Sequence, residues 1–268
     1  MKASFLFALL LLLLASNAQA QNDTMYFVKK GLVINQQAIK EAALDSVVLY
    51  ESEIKPLLTF TDARDGNVYK ITPIGGQVWM AENLRYLPAV VGSEKDSRSD
   101  PYYYVYGYEG IDVSEAKATE NYKAYGVLYN WTAAMAGKVA SDKNPSEVQG
   151  ACPAGWHLPS RAEWTQLRDF LGGLNLVEGI LKEAGTIHWA KTNAAITNEF
   201  NFTALPGGQR TMDGKFEEIN SHGQWWTTNE DKPDINYAYL LHFWSGSNTM
   251  NGLWVGKDSG ISVRCVKN

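Results

Sequence analysis

Apolar and polar positions alternate in short runs along most of the chain, and the breaks between runs are glycine-rich. LLTFT (57–61) and NVYKIT (67–72) flank Ala63-Arg64-Asp65-Gly66, ITPI (71–74) and QVWMAENL (77–84) flank Gly75-Gly76, and QRTM (209–212) and KFEEI (215–219) flank Asp213-Gly214. Alternation with a period of two, interrupted by Asp-Gly or Gly-Gly, predicts three β-hairpins, because these turns need residues that tolerate positive φ. Two segments carry the helical period instead. At 160–171, Trp164, Leu167, Phe170 and Leu171 fall on one stripe, and Ser160 with Glu163 forms a capping-box signature; Gly172-Gly173 ends the run. A weaker helix is predicted at 127–136, with Leu128, Trp131, Thr132 and Met135 on one face. Hairpins with about two main helices and no βαβ alternation indicate an α+β fold.

The N-terminal region divides differently. Residues 1–20 hold Lys2, an apolar run from Phe5 to Ala15 and the small-x-small close Ala18-Gln19-Ala20. This is the pattern of a secretory signal peptide, and the run falls short of the roughly 20 residues that span a bilayer. No membrane insertion is expected, and the mature chain is expected to be exported: secreted, periplasmic or associated with the cell surface. Residues 21–55 form a small strand-rich segment, with a hairpin around Lys30-Gly31, a helical turn or two at 36–44, and a β-branched run at 46–50; Pro56 separates it from the main domain, 56–268. Residues 92–123, polar at first and then tyrosine-dense, look like a variable insertion.

Charge and cysteine content narrow the class. The net charge is −5 and no basic block occurs, which argues against a nucleic-acid partner and against an anionic membrane surface. Cys152 and Cys265 are the two cysteines. In an exported chain an even count reads as a disulfide, and one tying the middle of the chain to its last residues is worth roughly 4–5 kcal/mol in the chain-entropy picture. A reactive thiol or a metal ligand is the competing reading, although neither cysteine lies in C-x-x-C or near a histidine at ligand spacing.

Six ordered motifs carry a resemblance. They are TFTDARDGNVYKITPIGGQVWMAENLRY (59–86), YGVLYNWTAAM (125–135), GACPAGWHLPSRAEWTQL (150–167), FNFTALPGGQR (200–210), GQWWTTNE (223–230) and ISVRCVKN (261–268). Together they resemble the Fibrobacter succinogenes major paralogous domain, a family of exported bacterial proteins. Through WHLPSRAEW and SVRCV the chain is also similar to C-type-lectin-like folds and to the formylglycine-generating enzyme group. That likeness implies a hairpin-rich C-type-lectin-like domain in which an early cysteine pairs with one near the C-terminus. Many family members are lipoproteins, whereas Gln21 stands here where a lipid-accepting cysteine would be.

The candidate chemistry points away from catalysis. His157, His188, His222 and His242 form no H-x-H or H-E-x-x-H, and no nucleophile elbow or phosphate-binding glycine loop occurs, so no metal or cofactor is expected. His157 reads as a packed or backbone-bonded imidazole. Asp62 to Gly66 lacks the ligand spacing of a calcium loop and reads as a turn. Lys232-Pro233-Asp234 has neither the first residue nor the order of a lectin calcium site. Glu217-Glu218 and Glu230-Asp231 read as surface acids rather than a hydrolase pair. Trp79, Trp131, Trp156, Trp164, Trp225 and Trp226 lie inside motifs and read as core. Trp189, Trp244 and Trp254 fall in glycine-, serine- and asparagine-rich stretches that read as long loops, where binding residues concentrate. With Tyr103 from the tyrosine-dense segment, they are the candidate ligand contacts. The expectation is a non-catalytic surface module that recognises a glycan or protein ligand. A structural or tip subunit of a surface appendage, with 21–55 pairing to a partner strand, and a polysaccharide-acting hydrolase are the alternatives.

Overall fold

The computed structural model describes residues 58–173, 177–191, 196–247 and 249–268, together with three short strands of the first 57 residues. The chain divides into two compact units, Met1–Pro56 and Leu57–Asn268. In the first, β1 (Phe27–Lys29), β2 (Leu32–Ile34) and β3 (Ser46–Val47) form an antiparallel sheet in the order β2-β1-β3, with Lys29 opposite Leu32. The expected hairpin and the β-branched strand are therefore present. The signal-like segment 1–20 and the helical turn at 36–44 lie outside the described residues.

The second unit carries two main sheets. One has β4 (Thr59–Thr61), β5 (Val68–Ile74), β6 (Gln77–Met80), β16 (Val266–Lys267) and β9 (Trp156–His157) in the order β4-β5-β6-β16-β9. The other has the order β14-β13-β12-β15-β8-β7, built from β14 (Asn251–Gly256), β13 (Tyr237–Trp244), β12 (His222–Glu230), β15 (Ile261–Ser262), β8 (Leu128–Tyr129) and β7 (Tyr103–Tyr104). The pairing of β12 with β15 is parallel and the others are antiparallel. The third predicted hairpin is the separate pair β10 (Gly207–Arg210) and β11 (Phe216–Ile219). All three hairpins form at the glycine turns, and the α+β class holds. A Cβ on Gly75 would run into the Phe170 ring, and φ there is +54°, so that turn needs glycine on both counts.

Five short helices are described: α1 (Val113–Ala118), α2 (Glu120–Tyr125), α3 (Trp131–Met135), α4 (Arg161–Phe170) and α5 (Val177–Leu181). The capping box of α4 is made: the Glu163 amide donates to Ser160 Oγ at 3.3 Å and the Ser160 amide donates to Glu163 Oε2 at 2.9 Å. The 127–136 helix is shorter than predicted, because the backbone at Leu128 and Tyr129 is drawn into the sheet and Asn130 then caps α3. Residues 92–123 are not a peripheral insertion. Tyr104, Val105, Ala116 and Tyr122 are buried, and β7 closes one end of the six-stranded sheet.

Two apolar clusters fill the interior. One gathers Trp131, Trp156, Trp226 and the Cys152–Cys265 bridge, whose Cα atoms are 5.9 Å apart. The other stacks Trp79, Trp164, Trp225 and Phe202. Ring centroids of Trp79 and Trp164 lie 4.5 Å apart, and those of Trp164 and Trp225 lie 5.9 Å apart. The buried Arg264 guanidinium sits 4.4 Å over Phe202 and donates to the carbonyls of Phe202 and Thr203 and to Asn83. Burial pushes its pKa down to about 9, outweighing the opposing charge of Glu82. All six motif tryptophans are in the core, as their positions predicted.

Candidate functional site

A cleft of about 690 Å3 opens between the start of β6, the 138–149 segment, α4 and the end of β16. Its floor is a buried imidazole–carboxylate pair. His157 Nε2 lies 2.6 Å from Glu163 Oε1, and His157 Nδ1 lies 2.7 Å from Asn268 Oδ1. Glu163 Oε2 also accepts from the amides of Ser160 and Ser146, at 2.9 and 3.0 Å. One carboxylate thus caps α4, holds the 146 backbone and anchors the imidazole.

Burial works against a charged imidazole, but the hydrogen bond and charge of Glu163, with help from Asn268, outweigh it and raise the His157 pKa. Both ring nitrogens are engaged, by Glu163 on one side and Asn268 on the other, so neither is open to a ligand. His157 is packed, as expected, but its partners are side chains rather than backbone. Carboxamides dominate the walls: Gln77, Asn144, Gln149 and Gln166, with Asn268 at the floor. Two lysines, Lys138 and Lys267, complete the lining. None of these except His157 was singled out from sequence as a candidate. Glu163 was legible only as a cap, because its other partners come from remote turns.

The four sequence-derived ligand candidates do not converge. Trp189 is 1 % exposed; its indole N–H donates to the Ala204 carbonyl at 3.0 Å, and the Lys182 ammonium lies 4.5 Å over its ring. It is a core residue, which overturns its assignment as a loop contact. Trp244 and Trp254 are 47 % and 42 % exposed, but they stand on β13 and β14, not in long loops. Cross-strand partners share a sheet face. Trp254 is opposite Tyr239 and touches it edge-on at 5.0 Å. Trp244 is opposite His222, whose ring stacks on His242 at 4.9 Å. Residues 239 and 244 differ by an odd number, so the two exposed tryptophans point from opposite faces. Tyr103 lies on β7 at the far end of the sheet, half-buried and edge-on to Tyr129 at 5.6 Å. Five strand spacings of about 4.8 Å put it roughly 24 Å from β14.

The Trp244 face is the larger aromatic surface. The indole lies nearly parallel to His222, with 12° between planes and 6.3 Å between centroids, and His222 stacks in turn on His242 at 21°. Burial, followed by the neighbouring His222 and Lys182, lowers the His242 pKa to about 4. At neutral pH that ring is uncharged.

One acid of each predicted pair is engaged. Glu218 Oε2 accepts from Gln209 and Gln224, each at 2.8 Å, and Glu230 binds Lys257 at 2.7 Å. Asp62 is held by the Arg64 side chain and amide as part of the turn. Among the described residues, no three His, Cys, Asp or Glu side chains converge as a metal site, and no helix is long and apolar enough to cross a membrane.

The family model described as Fibrobacter succinogenes major domain matches residues 73–267. That span takes in every strand from β6 to β16 and all five helices. No characterised protein and no solved structure matches the chain.

Proposed function

The chain belongs to the Fibrobacter succinogenes major domain family, and we propose that it serves as an exported, non-catalytic binding module of C-type-lectin-like architecture that takes a glycan or protein ligand at the bacterial surface. The observation that carries this reading is the half-exposed Trp244, continued by the His222 and His242 rings on one solvent-facing side of the sheet. An indole face of this kind stacks on the C–H faces of a sugar ring or on an apolar side chain. The signal-like residues 1–20 and the Cys152–Cys265 bridge support export, since disulfides persist in oxidising compartments. The return of β16 onto β6 supports the lectin-like architecture. The engagement of both His157 ring nitrogens by neighbouring side chains supports a non-catalytic role.

The test is a glycan and surface-extract binding screen on the wild-type chain and on Trp244→Ala and Trp254→Ala. Because the two residues face opposite ways, a single ligand loses at least tenfold in affinity with one substitution only, and Trp244 is the expected one. Unchanged binding by Trp244→Ala refutes this site. A second reading, an appendage subunit, is favoured by β14, an edge strand of six residues without a charge or proline to discourage strand addition. Loss of surface assembly on deleting 21–55, with the main domain still folded, selects that reading.

A further inference from the structure

The cleft over His157 and Glu163 lies apart from the Trp244 face and uses different chemistry. We infer that it is a second binding site, for an acidic oligosaccharide, with carboxamides reading hydroxyl groups and Lys138 and Lys267 pairing with the ligand carboxylate. Three features of the lining support this.

The first is charge. Lys138 and Lys267 line the cleft, are exposed, and have no ion-pair partner among the described residues. The rim's acid, Glu147, is bound by Lys143 at 2.9 Å, and Glu163 is matched by His157. Each acid of the lining is thus engaged by another side chain, and the two ammonium groups are the charged side chains left to meet a ligand. Two unpaired ammonium groups on one cleft favour an anionic ligand over a neutral one.

The second is hydrogen-bonding type. Each carboxamide carries both donors and an acceptor, as each sugar hydroxyl does. Gln77 donates to the Glu163 carbonyl at 3.2 Å, Asn144 donates to Gln166 at 2.8 Å, and Gln149 donates to the Cys152 carbonyl at 3.1 Å. These bonds orient the amides and use only part of their capacity. Val266 and Pro145 are the apolar side chains of the lining, and neither is aromatic.

The third is size and rigidity. The volume of about 690 Å3 falls within the roughly 300–1,000 Å3 of small-ligand sites. The floor is fixed by the four hydrogen bonds that converge on the His157–Glu163 pair.

The experiment is calorimetric titration of the full chain with short oligomers of galacturonate, of glucuronate and with a sialylated trisaccharide, each against its carboxyl-methylated ester. Glutamate tetrapeptide is run in parallel. At least one acidic sugar is expected to bind at least tenfold more tightly than its ester, with affinity falling as salt rises. Lys138→Ala with Lys267→Ala should remove that preference, and Gln166→Ala should weaken the acid and the ester alike. Both lysines are exposed and without ion-pair partners among the described residues, so the double variant is expected to keep its unfolding midpoint. Trp244→Ala should leave the titration unchanged, which separates this site from the one above. The inference is overturned if no acidic sugar binds, if ester and acid bind equally, if the double lysine variant binds as wild type, or if the tetrapeptide matches the best sugar.

Discussion

Two histidine environments in this molecule have opposite electrostatics. His157 is enclosed by acceptors: Glu163 on one ring nitrogen, Asn268 on the other. His242 is enclosed by aromatic and cationic neighbours, with His222 stacked on it and Lys182 nearby. Both lose solvent, so burial disfavours the charged form in both. What differs is the partner, and it decides the sign. A carboxylate with three donors raises the pKa of the first ring, while a second imidazole and an ammonium add to the lowering of the other. The cleft therefore has a hydrogen-bonded imidazole–carboxylate floor, and the Trp244 face presents a row of stacked aromatic rings.

The strongest way to break this contrast is to remove the carboxylate. Glu163→Ala leaves a buried imidazole without its counter-charge, along with two backbone amides of the 146 and 160 turns without an acceptor, and should cost about 3–5 kcal/mol in urea unfolding. His242→Asn, on the half-buried stack, should cost about 1 kcal/mol or less. Equal losses would mean that the two sites are energetically alike, against the geometry.

The pH dependence sharpens the comparison, because the signs differ. His157 has a raised folded pKa, so its stabilisation is full below the unfolded value near 6.5 and is lost as pH rises through the folded value. His157→Gln should flatten the alkaline limb of the stability profile. His242 has a folded pKa lowered to about 4, so its contribution is full above 6.5 and disappears as pH falls toward 4. On the order of 2 kcal/mol is at stake there, and His242→Asn should flatten the acid limb. Thermal midpoints between pH 4 and 9 for both variants test this, and exchanged limbs would refute it.

The smallest expected effects are at the exposed indoles. Trp254→Ala removes an edge-on contact with Tyr239 and should cost about 0.5–1.5 kcal/mol. Chemical unfolding measures it. Trp244→Ala should cost no more, so its binding phenotype can be read without a folding defect.

Much of the fold is legible in local pattern. The alternation through 71–80, the Asp-Gly and Gly-Gly turns and the Ser160–Glu163 box each specify their element within a few residues. The candidate site was less legible, for identifiable reasons. Glu163 announces a cap to its own helix, but its imidazole partner comes from β9, and the Ser146 amide comes from a turn 17 residues upstream. Trp189 sits among polar neighbours that suggest a loop, yet the Ala204 carbonyl and the Lys182 ammonium that enclose it come from other segments. In NGLWVG, Leu253 and Trp254 are adjacent and both exposed, because an edge strand shows solvent on either side. The strand period is hidden there, and the surrounding Gly, Ser and Asn suggest a loop.

One feature of the sheet bears on the timing of assembly during synthesis. β16 lies between β6 and β9 and pairs with both through Val266, while the Cys265 carbonyl accepts from the Met80 amide. Those two strands do not pair with each other, so the five-stranded sheet has a gap until residues 265–267 arrive. A ribosome releasing this chain delivers every other described strand first. That sheet therefore cannot close before the last of the described strands has been made.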